Sequence, residues 1–241
     1  MLDIAEDSPD IVTASDDYAS RFKGEAGAWF LKIQEDAVLR MLPPFKGASI
    51  LDVGGGHAQI ARPLVEKGYR VTVHGSDSSC SRRIHDLLSQ GRCQFKTGPI
   101  LSLPFEDRSF DIVVSCRLLS HVENWKKLIS EFSRIARLAV VVDFPTLRSF
   151  NALTSRLFGL KKRLEGNTRS FISFHEKDIS AAFEIFGFRK ADRFAQFFLP
   201  MVGHRILHSA RGSSFLEAPF RWTGLTAWLG SPLIVKFVRN S

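Results

Sequence analysis

Apolar residues recur at helical spacing from Glu25 to Leu42, with Phe30, Ile33, Ala37 and Met41 on one stripe, and Pro43-Pro44 stops the run. This predicts a helix laid against a core. The period then changes. "ASILDV", "RVTVHG", "CQFKTG", "FDIVVS" and "LAVVVDF" are short apolar or β-branched runs bounded by turn residues, the mark of buried strands. Helical stretches separate several of them. Pro63 lacks an N–H and suits only a helix's first turn, so that helix starts between Gln59 and Arg62, and residues 54–58 are loop. Trp125, Leu128, Ile129, Phe132, Ile135 and Ala136 give a second helix. Five such alternations predict a parallel sheet with helices on both faces and a ligand at the carboxyl ends of its strands. Further on, "KDISAAFEIFG" reads as a helix and "RKADRFAQFFLP" and "SPLIVKFVRN" as strands. The helical "HRILHSARGSSFLEAPFRWTGLTAWLG" would be an insertion in that closing hairpin. The first 15 or so residues are polar and expected to be frayed.

Composition adds a boundary. The 241 residues, 44% of them hydrophobic, suit one domain or a core with a small attachment. Residues 1–145 hold 18 Lys and Arg against 19 Asp and Glu, whereas 146–241 hold 15 against 6. The whole excess of +8 therefore lies in the last part, which also has 13 of the 21 phenylalanines and implies a different task there. Cys80, Cys93 and Cys116 form no C-x-x-C pair, which argues against a disulfide framework or a thiolate zinc site. The acidic N-terminus does not look like a signal peptide, and no apolar run reaches the roughly 20 residues of a membrane span, so a soluble cytoplasmic protein is expected.

The densest chemical signal is "SILDVGGGHAQIARPLVEKGYRVTVHGSD". Glycines after a first strand let backbone approach a ligand where a Cβ would collide. A dinucleotide fingerprint would place another glycine at Gln59, and a phosphate loop would need Gly-Lys-Ser/Thr, so neither fits. Asp77 stands 21 residues beyond Gly56 at the end of the second strand, where a carboxylate can accept from ribose hydroxyls. An adenosine without a pyrophosphate is implied.

With "LDVGGGHAQ", "VHGSDSS" and "LSLPFEDRSFDIVVSCRLLSHVENWKKLISEFSRIAR", residues 45–145 resemble the class I S-adenosylmethionine-dependent methyltransferases of the methyltransferase type 11 family. The resemblance implies a doubly wound, Rossmann-like α/β fold. It would have seven mostly parallel strands, helices on both faces and a helical lid, with S-adenosylmethionine as cofactor and no metal. Gly54, Gly55 and Gly56 would meet the methionine end, with Asp52 ordering that loop. Asp77 would bind the ribose and Ser78 flank the adenine, while the backbone of Ser115 and Cys116 would lie near the methionine amino group. One departure stands out. Such proteins often read Gly-Asp where this chain has Gly98-Pro99, so the acid that accepts from the adenine amino group is absent, leaving the Ile100 N–H to donate to the ring.

The expected layout is one domain, with covering helices in 1–44, the cofactor core in 45–145, a lid in 146–175 and 200–231, and the end of the sheet in 176–199 and 232–241. Methyl transfer demands mainly alignment, yet an acceptor of high pKa needs a base, and His121 after the fourth strand is the candidate. Its alternative role is to cap the helix beginning near Val122 or Glu123. Arg21, beside Tyr18 and Phe22, is a candidate partner for the methionine carboxylate, or else a solvated arginine on a covering helix. His57 would shape the glycine loop. Leu147, Phe150, Leu153, Leu157, Leu160 and Leu164 share a helical stripe with basic residues elsewhere on it. That segment would cover an apolar or anionic small-molecule substrate. Its rival roles are membrane-surface contact through 146–165 for a lipid substrate, and a nucleic-acid face, which no recognised module accompanies. A non-catalytic S-adenosylmethionine-binding module is the alternative to an enzyme.

Overall fold

The computed structural model describes residues 8–42, 47–55, 58–150, 152 and 171–240. Three helices come first: α1 (Pro9–Ala14), α2 (Asp16–Ser20) and α3 (Gly24–Met41). β1 (Ser49–Val53), α4 (Ala61–Glu66), β2 (Arg70–Gly75), α5 (His85–Ser89), β3 (Gln94–Thr97), β4 (Phe110–Ser115), α6 (Trp125–Ile135) and β5 (Ala136–Phe144) follow. α7 (Glu176–Glu184), β6 (Phe188–Phe197), α8 (Met201–Leu207), α9 (Ala210–Trp222), α10 (Leu225–Leu229) and β7 (Ser231–Arg239) complete the described chain.

The seven strands run in the order β3-β2-β1-β4-β5-β7-β6. The first five are parallel, and β7 lies antiparallel between β5 and β6. Strand alternation explains why the runs read as continuously apolar: Leu51, Val53, Val113, Val140 and Val142 enter one core, while Ile50, Ile112, Val114 and Val141 enter the other. α6 closes the first core with Leu128, Ile129 and Phe132, all fully buried, and α3 closes the second with Ala37, Val38 and Met41. Pro63 falls at the third position of α4, where its missing N–H has no partner to lose.

The N-terminus departs from the frayed segment expected of it. α1 packs on the 3₁₀ turn at Ser78–Ile84, with Asp10 fully buried. Its carboxylate accepts from the backbone N–H and the hydroxyl of Ser76, both at 2.6 Å. A polar sequence conceals such an element because its stability comes from one long-range contact rather than from an apolar stripe. α6 also starts at Trp125, after Asn124, so His121 does not cap it; His121 instead ends a short 3₁₀ turn, Leu119–His121. The stripe expected through Leu164, and with it most of the 146–165 segment assigned to membrane contact, lies outside the described residues, as do Gly56 and His57. The cysteines are free and buried. No helix among the described residues is long and apolar enough to cross a membrane.

Candidate functional site

The turn after β1 accounts for its own glycines. Gly54 sits at φ +74°, and a Cβ there would also press on the Leu118 side chain. At Gly55 a Cβ would overlap the Asp52 carboxylate. Asp52 is 2% exposed and its Oδ2 has no hydrogen-bond partner. Burial pushes its pKa up to about 7, against the opposing pull of nearby Arg117. The place of a third glycine is taken by Gln59, whose Nε2 donates to the Leu31 carbonyl at 2.6 Å and ties the turn to α3.

Asp77 ends the loop after β2, fully exposed. Its Oδ1 accepts from the Ser79 N–H at 2.8 Å, and this bond holds the carboxyl below the ordinary carboxylate range. Ser78 is exposed beside it. Pro99 is exposed and Ile100 fully buried, its side chain part of the core. Beneath them lies His74, fully buried, with neither ring nitrogen hydrogen-bonded and its ring 5.9 Å from that of Phe105. A Cβ at Gly98 would stand 3.4 Å from His74 Nε2. Burial lowers the His74 pKa to about 4, so the ring is neutral.

After β4 the chain turns through Ser115 and Cys116, both buried. Ser115 Oγ donates to the Val53 carbonyl at 3.0 Å, and burial raises the Cys116 thiol well above its usual value. Arg117 adopts φ +58°, which its backbone N–H supports by donating to Asp143 Oδ1 at the end of β5. Gln34 on α3 donates to the other Asp143 oxygen. Asp143 is buried, and that burial raises its pKa to about 6. The Arg117 guanidinium lies 5.0 Å from the centre of the Phe22 ring and 5.9 Å from that of Tyr18, with Nε and Nη1 buried and unpartnered.

A cavity of about 1280 Å³ opens here. Its wall combines α1–α3 (Thr13, Tyr18, Arg21, Gln34), the loops after β4 and β5 (Arg117, His121, Asp143, Thr146) and the end of β6 with α8 (Gln196, Met201, Arg205). Of the residues expected in the site, the wall brings together His121 and Arg21. Asp52, Gly54, Gly55, Asp77, Ser78, Pro99, Ile100, Ser115 and Cys116 lie outside it. Arg117, Asp143 and Gln34 were missed. For Asp143 a signal existed, an acid closing an apolar strand at its carboxyl end; Arg117 and Gln34 depend on contacts from distant segments.

Residues 51–139 match the family model described as a methyltransferase domain. An uncharacterized methyltransferase of Mycobacterium tuberculosis is 28% identical over 126 residues, covering 50% of this chain and 64% of the relative. The match thus spans less than two thirds of the relative's length. Among solved structures, a putative methyltransferase of Haloferax volcanii, in complex with a methyltransferase activator, superposes with TM-score 0.66 at 17% identity, covering 97% of this chain and 99% of that one. Magnesium protoporphyrin IX methyltransferase from Synechocystis, with bound SAH, gives TM-score 0.61 at 17% identity, covering 90% and 85%. Residues 51–139 thus match a methyltransferase domain, and the seven-stranded sheet has the fold of these methyltransferase structures.

Proposed function

We propose that this chain transfers the methyl group of S-adenosylmethionine to an apolar or anionic small-molecule acceptor. The observation that carries this reading is the cavity at the carboxyl ends of β4 and β5, lined by His121 and Arg21. The residues fit the cofactor: Asp52 keeps a buried oxygen without a partner, and the exposed, ionised Asp77 is available to ribose hydroxyls. Arg21 is the candidate for the methionine carboxylate. Bound there, S-adenosylmethionine supplies an electrophilic methyl group for in-line displacement. The chain's part is alignment, exclusion of water by the covering helices, and removal of the acceptor's proton by the His121 ring. The wall supports this acceptor class: among its described residues Phe22, Phe144 and Phe197 stand with Arg21, Arg117, Arg148 and Arg205, against Asp17 and Asp143 as acids.

Calorimetric titration with S-adenosylmethionine tests the first layer. Binding is expected, weakened roughly tenfold or more by Asp77→Ala, which removes a charged hydrogen-bond acceptor. Absence of binding refutes the reading. Radiolabelled methyl transfer into a fractionated cell extract tests the second, with label expected among small molecules. Label in RNA overturns the acceptor class. Binding without label favours the non-catalytic module, to which Pro99 in place of an adenine-binding acid points.

A further inference from the structure

We propose that helices α8–α10 form a docking face for a membrane surface rich in anionic lipid, a property separate from the identity of the methyl acceptor. The face is built on the outward stripe of α9. Arg211, Phe215, Ala218 and Trp222 follow one another at spacings of four, three and four, which sets them within about 60° on a helix. All four are exposed, Phe215 by 79% and Trp222 by 90%. The inward face is mixed: Ser213 and Glu217 are fully buried, and the Phe220 ring stacks on buried Phe198 at 4.2 Å. Glu217 accepts from the backbone N–H groups of Phe198 and Leu199, both at 2.9 Å, and contacts His204 Nε2 at 3.0 Å. A surface helix ordinarily turns its apolar side in. Here the Glu217 hydrogen bonds and the Phe220–Phe198 stack fix the orientation and leave Phe215 and Trp222 toward solvent. Ile206 on α8 and Trp228 on α10 enlarge the exposed apolar surface, 71% and 55% exposed. Large apolar side chains this exposed on three successive helices mark an interaction site.

Charge selects the occupant. Between Met201 and Leu229 the only acid is Glu217, which is buried, whereas Arg211 stands exposed in the stripe, Arg148 lies over the Trp228 ring at 4.8 Å, and residues 146–241 hold 15 Lys and Arg against 6 Asp and Glu. Aromatic rings beside arginines suit the headgroup level of a bilayer, where the ring is buried and the cation meets phosphate. The face also adjoins the cavity, whose wall includes Ile206 and Arg205 from α8 and Leu229 from α10.

Co-sedimentation of the full chain with vesicles tests the proposal. Binding is expected to vesicles of phosphatidylcholine mixed with phosphatidylglycerol, to be much weaker with phosphatidylcholine alone, and to fall as salt rises. The double substitution Phe215→Ser with Trp222→Ser should lower partitioning at least roughly tenfold. Because both side chains are exposed, thermal unfolding should not change. Tryptophan emission should shift to the blue on vesicles, and Trp222→Phe should diminish that shift while retaining most of the binding. Failure to bind anionic vesicles, or binding that the double variant retains, overturns the proposal. A dimer or an RNA complex that depends on Phe215 and Trp222, without vesicle binding, overturns it in favour of that partner.

Discussion

Asp52→Asn tests the electrostatics of the site most directly. In the native fold Asp52 is buried with one oxygen unpartnered, and its pKa rises from 3.8 to about 7, chiefly through burial. A carboxyl raised in the folded state favours the protonated form. Its cost to stability is absent below the unfolded value, grows as pH climbs from about 4, and levels off above about 7. Each tenfold change in the ionisation constant corresponds to about 1.4 kcal/mol, so the ionised carboxylate costs about 4 kcal/mol at pH 8, of which roughly 3 kcal/mol accrues above pH 5. Asparagine keeps the shape and removes the titration. Denaturant unfolding of both proteins at pH 5 and pH 8 should therefore show the variant gaining roughly 3 kcal/mol on the wild type across that interval. Asp143 and His74 titrate in both proteins and cancel. Parallel stability curves would refute the reasoning, because they would mean that Arg117 pairs with Asp52 strongly enough to keep it ionised across the whole interval.

Two further outcomes follow from buried groups. Asp10→Ala leaves the Ser76 N–H and hydroxyl without their acceptor, at a cost of about 1–3 kcal/mol, so amide hydrogen exchange in 9–14 should quicken while β4 and β5 stay protected. His74, lowered to about 4 from 6.5, stays neutral in the fold while the unfolded chain takes up a proton. Stability attributable to it falls as pH drops from about 6.5 to 4, by roughly 3 kcal/mol, and acid unfolding of His74→Leu should show a shallower slope over that range.

The parallel half of the sheet was legible because buried strands write themselves as apolar runs and Pro63 marks a helix start. The turn at Gly54–Gly55 was legible for a related reason, since positive φ and the nearby Asp52 leave few residues that fit. The cavity wall was not. Gln34, Arg117 and Asp143 stand far apart in the chain and meet only after β4 and β5 have paired and α3 has docked; none alters the local period. Arg117 runs against expectation, as a non-glycine residue at positive φ whose conformation is supported by a bond to another strand. α1 was misread for the same reason, because a six-residue helix held through Asp10 has no apolar stripe to announce it.

Buried carboxylates divide this molecule's site from its scaffold. Asp10 ties α1 to the end of β2, Asp143 ties the loop after β4 to β5 and to α3, and Glu217 ties α9 to the end of β6 and to α8. Each spends its oxygens on donors from other elements, usually including a backbone N–H, which makes burial of the charge tolerable and positions the covering helices around the cavity. Asp52 differs. It is as buried as the others, yet one oxygen faces Gly55 with no donor, and the chain bears the cost of its desolvation. Under the proposed function, the carboxylate left without a donor, at the carboxyl end of β1, is the place where a ligand's donor would contribute most.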